Sequence, residues 1–287
     1  MQLATLLAIA ARSVPHVPPR LGYALCEQLG AAIGPRVPAW KTVLNNLSVV
    51  MPTANQRDRE IAARGVMIGM FKNYFDLFRF PQLPPAELDR HIVMEGEHNV
   101  ERALDRGNGL LMIAPHCGNY TIIFAPAIRR FNTRVLLIVE QIRDPRLHQI
   151  MNRMRDMPGV EIEPLGPNAG RAIIRALRRN QIVLLGGDRA IAENNLTVSF
   201  FGRPTPMPSG PATLALRTGA PLMTAFTNRL PDNRSWAMFD PPLLIERSGS
   251  LQDDVCDVTQ KIAYIMQAYI RRDPSQWLVA DPVWPNV

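Results

Sequence analysis

Five apolar residues in a row, Leu110, Leu111, Met112, Ile113 and Ala114, run straight into Pro115, His116, Cys117, Gly118 and Asn119. A run this short and this uniformly apolar, closed by turn residues, reads as a strand buried on both faces, as in a parallel sheet covered by helices. Such a strand ends at the carboxyl edge of its sheet, where open α/β folds hold their ligands. Gly118 and Asn119 permit a tight turn and the cap of a following helix. An imidazole at that position can act as a general base, with backbone N–H groups at a helix start as donors to an oxyanion.

The rest of the chain alternates in the same manner. Strands are expected near 92–96, 134–140, 160–164, 181–186, 196–201, 222–228 and 235–239. Helices are expected near 55–80, 97–106, 144–157, 168–179, 210–218 and 251–272, the first with Ile61, Met67, Met70, Phe71, Tyr74, Phe75 and Phe78 on its apolar face. The expectation is an α/β fold: a single mixed sheet flanked by helices on both faces, with a helical N-terminal extension. Residues 1–48 form that extension and 49–287 the α/β domain. The extension reads as two helical segments set off by Pro15, Pro18, Pro19, Pro35 and Pro38. Leu21, Leu25 and Leu29 recur every fourth residue in the second, a stripe that either packs on the domain or lies in a membrane interface.

Composition narrows the function. With 47% hydrophobic and 20% charged residues the chain is not disordered. Cys26, Cys117 and Cys256 are far apart and odd in number, which fits neither a disulfide framework nor a metal site and points to a reducing compartment. Cys117 reads as a packed thiol, because neighbouring residues rarely aim both side chains at one reacting atom. The longest N-terminal apolar run, residues 3–11, falls short of the ~20 residues that span a bilayer, and it lacks the basic start of a signal peptide. Net charge is +7, which suits a phosphate-bearing partner. Arg171, Arg175, Arg178 and Arg179 share one side of a helix, either a solvated face or a contact to anionic lipid. The basic residues are otherwise scattered, without RNP, zinc-finger or basic-tail pieces, so nucleic acid is not expected as a partner. No Gly-x-Ser-x-Gly elbow marks an α/β-hydrolase.

Several segments then fall in a recognisable order: Pro115-His116-Cys117-Gly118-Asn119-Tyr120, Val139-Glu140 followed by Leu147 and Arg155, Gly170-Arg171, and Gly187-Asp188-Arg189. They continue with Val198-Ser199-Phe200-Phe201-Gly202-Arg203-Pro204, the stretch from Gly210-Pro211-Ala212-Thr213 to Gly219-Ala220-Pro221, and Ile270-Arg271-Arg272-Asp273-Pro274-Ser275-Gln276-Trp277. In this order the chain resembles the bacterial lysophospholipid acyltransferase-like family, in the branch of the lipid A and phosphatidylinositol mannoside acyltransferases. The resemblance implies a peripheral-membrane enzyme at the cytoplasmic face of the cell membrane. It would move a fatty acyl group from an acyl thioester, acyl-CoA or acyl-carrier protein, to a hydroxyl of a glycolipid or lysophospholipid. It implies His116 as general base and an anionic membrane surface as partner, with no metal and no cofactor beyond the donor. Asn119, Arg155, Arg189, Glu193, Phe200 and Phe201 are the substrate contacts it implies. Arg229, a second arginine able to hold a phosphate, reads instead as a surface ion pair.

One position departs from the family. Its motif is His, four residues, then Asp or Glu, and this chain has Thr121 there. An orienting carboxylate fixes the tautomer of a catalytic imidazole and stabilises the imidazolium, and losing one costs several orders of magnitude in serine-protease triads. Three readings stand. Asp188, or Glu193 behind it, supplies the missing carboxylate; Thr121 orients His116 in a slower enzyme; or the fold binds lipid or acyl chains without turnover.

Overall fold

The computed structural model describes residues 9–120, 124–141, 144–146, 149–151, 157–190 and 195–284. Nine strands form among them: β1 (Ile92–Glu95), β2 (Leu110–Ala114), β3 (Val135–Val139), β4 (Val160–Pro164), β5 (Ile182–Gly186), β6 (Asn195–Phe200), β7 (Arg203–Pro208), β8 (Leu222–Arg229) and β9 (Ser235–Phe239). The helices among them are α1 (Pro19–Ile33), α2 (Ala39–Val50), α3 (Gln56–Arg79), α4 (Pro85–Arg90), α5 (Glu97–Leu104), α6 (Phe124–Arg130), α7 (Ala169–Arg178), α8 (Gly210–Thr218) and α9 (Leu251–Arg272). Half of the helix expected over 144–157 lies outside the described residues.

Seven strands pair in the order β1-β9-β8-β2-β5-β3-β4, and every pair is parallel except β8 with β9. The mixed sheet expected from the alternation is present, with β2 at its centre. Leu111 and Ile113 of β2 join Val183 and Leu185 of β5 in one core cluster, against α7, α8 and α9. Leu110 and Met112 join Ile182 and Leu184 in the other, against α4, α5 and α6. Alternate residues thus serve opposite cores, which is why these strands are apolar throughout.

The two long helices begin and end on matching signals. The Asn55 side chain accepts from the Asp58 N–H at 2.9 Å to cap α3. Ser250 caps α9, whose first turn carries Asp253 and Asp254 and whose last turn carries Arg271 and Arg272, in line with the helix dipole.

Three expectations need correction. The extension holds a further helix, α2, where only two helical segments were expected before residue 48; Pro38 is the cap at its start, not a stop. α2 packs Val43 and Leu47 on Ala62, Ala63 and Val66 of α3. On α3 itself Ile61 and Tyr74 are exposed, while the polar Asn73 and Asp76 are buried. The strand expected at 196–201 does not join the main sheet but forms a hairpin with β7. Three prolines hide β7 in the sequence; Pro204, Pro206 and Pro208 recur every second residue, so all take the same kind of site, one that needs no N–H towards the partner strand. The leucine stripe of α1, open between packing on the domain and lying in a membrane interface, is exposed at Leu21, Leu25 and Leu29. Among the described residues no helix is long and apolar enough to cross a membrane.

Candidate active site

β2 and β5 pair in register, with Ala114 opposite Gly186. His116 and Asp188 each follow two residues later, so adjacent parallel strands deliver them side by side at the carboxyl edge. His116 Nδ1 lies 2.6 Å from Asp188 Oδ1. The His116 backbone N–H donates to Asp188 Oδ2 at 2.8 Å, and the Trp277 indole N–H donates to the same oxygen at 2.8 Å. Burial alone would push the Asp188 carboxyl up, but the His116 charge, its ring and backbone N–H and the Trp277 indole outweigh it and hold the group below its ordinary value. An ionised carboxylate on Nδ1 keeps the proton on that nitrogen and leaves Nε2 as the basic one. The His116 side chain is 20% exposed and that of Asp188 fully buried, so the imidazole is the member of the pair that reaches solvent. The Tyr120 ring meets the His116 ring edge to face, with centroids 5.1 Å apart.

Two layers hold the His116 turn. The first comes from the C-terminal end. The Gly118 N–H donates to Gln276 O at 2.9 Å, and the Leu278 N–H donates to His116 O at 2.7 Å. Gln276 also grips the end of β8, accepting from the Arg229 N–H at 2.5 Å and donating to Arg229 O at 3.1 Å. Gly118 takes φ +53°, and a Cβ there would stand 2.6 Å from Asn228 Cα. Only glycine combines that left-handed backbone with that close approach.

The second layer is a buried junction on α3. Asp76, fully buried, accepts from the Tyr23 hydroxyl at 2.6 Å, the Asn119 amide at 2.7 Å and the Arg229 guanidinium at 2.7 Å. Beside it the Asn73 amide donates to Gly118 O at 2.7 Å. Burial pushes the Asp76 carboxyl above its ordinary value, and the Arg229 guanidinium and the Tyr23 hydroxyl pull against it.

Among the residues expected at the site, His116 and Asp188 come together. Asn119 is next to them but fully buried, with its amide on Asp76, so it anchors the turn from beneath. Arg189 sits at the rim, paired with Glu140 at 2.9 Å and with Asp281. Phe200 and Phe201 pack with Trp277 and Trp284 in an aromatic cluster and are both buried. Thr121, Arg155 and Glu193 lie outside the described residues. Arg229, expected as a surface ion pair, instead has a side chain only 8% exposed and forms the buried pair with Asp76. The oxyanion donors expected at this turn are not His116, Cys117 or Gly118, whose N–H groups are taken by Asp188, Pro115 O and Gln276 O. Cys117 is a packed thiol, raised well above its ordinary value by burial and then by the charges of Asp188 and Asp273.

Sequence reading missed the polar supports. Asn73 and Asp76 lie three apart on α3, the helical spacing of one face, in the midst of Phe71, Phe75 and Phe78. Polar residues inside an apolar stripe are the signal that would have found them. No comparable signal marks Trp277 as the donor to Asp188, since 89 residues separate the two.

A family model described as bacterial lipid A biosynthesis acyltransferase matches residues 2–285. Phosphatidylinositol mannoside acyltransferase of Mycobacterium tuberculosis is 30% identical over 214 residues, which cover 73% of this chain and 66% of that protein, just under two thirds of its length. The protein of the same name from Mycolicibacterium smegmatis is 27% identical over 212 residues, covering 73% of this chain and 67% of its own.

Proposed function

The chain belongs to the bacterial lipid A biosynthesis acyltransferase family, and we propose that it transfers a fatty acyl group from an acyl thioester to a hydroxyl of a glycolipid or lysophospholipid, with His116 as general base. One observation carries this reading: His116 Nδ1 rests 2.6 Å from a buried carboxylate, Asp188, although the motif acid is replaced by Thr121. As the acceptor oxygen attacks the thioester carbonyl, Nε2 takes its proton. Asp188 steadies the imidazolium that results and holds the ring in place. The tetrahedral oxyanion then collapses, the C–S bond breaks, and the imidazolium returns its proton to the leaving thiolate. The donor, acyl-CoA or acyl-carrier protein, brings its own leaving group, so the step uses no further cofactor. The names of the mycobacterial relatives support a glycolipid acceptor. The protein works as a peripheral enzyme at the cytoplasmic face of the membrane. The Asp188 contact favours turnover over a fold kept for binding alone, because it gives His116 the charge that Thr121 cannot.

The test is labelled lipid formed from a radiolabelled palmitoyl thioester and a membrane lipid extract. Wild type should label a lipid and His116→Ala should lose about 10²–10⁴-fold or more of that rate; equal labelling by the variant would remove His116 from the mechanism. Thr121→Asp should bring no gain, because the carboxylate is already supplied. A large gain would show that Thr121, not Asp188, limits the base.

A further inference from the structure

α1 is built with its small residues inward and its large ones outward. Gly22, Cys26, Gly30 and Gly34, spaced by four, are buried. A Cβ on Gly22 would stand 2.1 Å from the Phe75 ring, and one on Gly30 2.7 Å from Ile68 Cα. α1 therefore lies directly on α3 through glycine, and the neighbouring four-residue series is turned to solvent. Leu21, Leu25, Leu29 and Ile33 are 54%, 43%, 43% and 42% exposed. They form an alkyl ridge about 18 Å long at 1.5 Å per residue, with Ile9 also exposed on the segment before it.

The charges around the ridge choose its occupant. Arg12 and Arg20 precede it, Arg36 and Lys41 follow it, and all four are exposed. Glu27 is the only acid before Asp58, and the Lys72 ammonium holds it at 2.7 Å. Cations at both ends of an alkyl ridge can reach lipid phosphates while the leucines enter the acyl boundary. A second copy packed antiparallel on the ridge would set Arg20 against the partner's Arg36, like charge on like. Tyr23, on the same helix, donates to Asp76, which in turn holds Asn119 beside His116. The inward side of α1 thus reaches the support of the His116 turn through Tyr23, and the exposed leucines of the ridge take no part in it.

We propose that the outward ridge of α1, Leu21, Leu25, Leu29 and Ile33 with the flanking cations, is the face on which the protein docks to an anionic bilayer. The proposal rests on the reading of the protein as a peripheral lipid acyltransferase. Its test is flotation with vesicles of phosphatidylglycerol and phosphatidylethanolamine, comparing wild type with the triple variant Leu21→Gln, Leu25→Gln, Leu29→Gln. Melting and gel filtration of both, and thiol release from palmitoyl-CoA without lipid, accompany it. The expected result is vesicle partition weakened on the order of a hundredfold, with melting and lipid-free thiol release unchanged. A folded variant that floats like wild type overturns the ridge as the docking face and leaves the peripheral reading standing. A wild type that does not float overturns both. A wild-type dimer that the variant splits assigns the ridge to a second copy and overturns the lipid.

Discussion

At the residue scale, Asp188 replaces by register what the chain lacks by spacing. An acid five residues after the histidine would be its near neighbour in sequence; Asp188 comes from beyond the end of the neighbouring strand, where the ladder sets it beside His116. The histidine was legible in the sequence because an apolar strand points at it. The contact with Asp188 was legible only as one candidate among three, because register between β2 and β5 is a long-range property that no local spacing encodes. Two predictions belong here. The fold holds the Asp188 carboxyl below its ordinary 3.8, so the stability its charged form contributes is present above that value and lost as pH falls through the lower folded one. The gap in unfolding free energy between wild type and Asp188→Asn should therefore narrow from about pH 5 to about pH 2; a gap independent of pH would mean that Asp188 is not charged in the fold. Trp277→Phe keeps most of the ring but removes the indole donor to Asp188. It should cost about 1–3 kcal/mol of stability and lower the turnover rate more than it raises KM, measured by denaturant melts and steady-state kinetics.

At the scale of elements, α3 links the N-terminal helices to the catalytic turn. Its Asp76 receives Tyr23 from α1, Asn119 from the turn and Arg229 from β8. Asp76→Ala leaves the Arg229 charge buried without its carboxylate and should destabilise by about 3–5 kcal/mol. Tyr23→Phe removes one donor and should cost about 1 kcal/mol. Thermal melts that place the two variants together would contradict the buried-pair account. This junction is hidden in the sequence because the spacing of α3 reads as an apolar stripe, whereas its buried face mixes Phe75 and Phe78 with Asn73 and Asp76. For α1 the leucine repeat left packing on the domain and a membrane interface both open, and the glycines one position further along, which hold the closer packing, leave the leucines exposed. β7 was hidden by prolines that an edge hairpin tolerates.

At the scale of the whole molecule, the strand–helix alternation was enough to read the sheet, the layers on both faces and the helical N-terminal extension. The chain order of strands says little about their order in space, and it is the spatial order that matters for chemistry. β8, β2 and β5, scattered along the chain, lie side by side and bring Arg229, His116 and Asp188 to one edge. The segment from Pro274 to Trp277 then closes over that edge from the far end of the chain. The central claim is that a carboxylate from one strand activates the histidine of the next for acyl transfer. The measurement that tests it most directly is thiol release from palmitoyl-CoA and from palmitoyl-acyl carrier protein, with membrane lipids, by wild type, His116→Ala and Asp188→Asn. Release by wild type that rises with lipid, and a fall of about 10⁴-fold for Asp188→Asn, is the predicted result. Release by Asp188→Asn at the wild-type rate would contradict it.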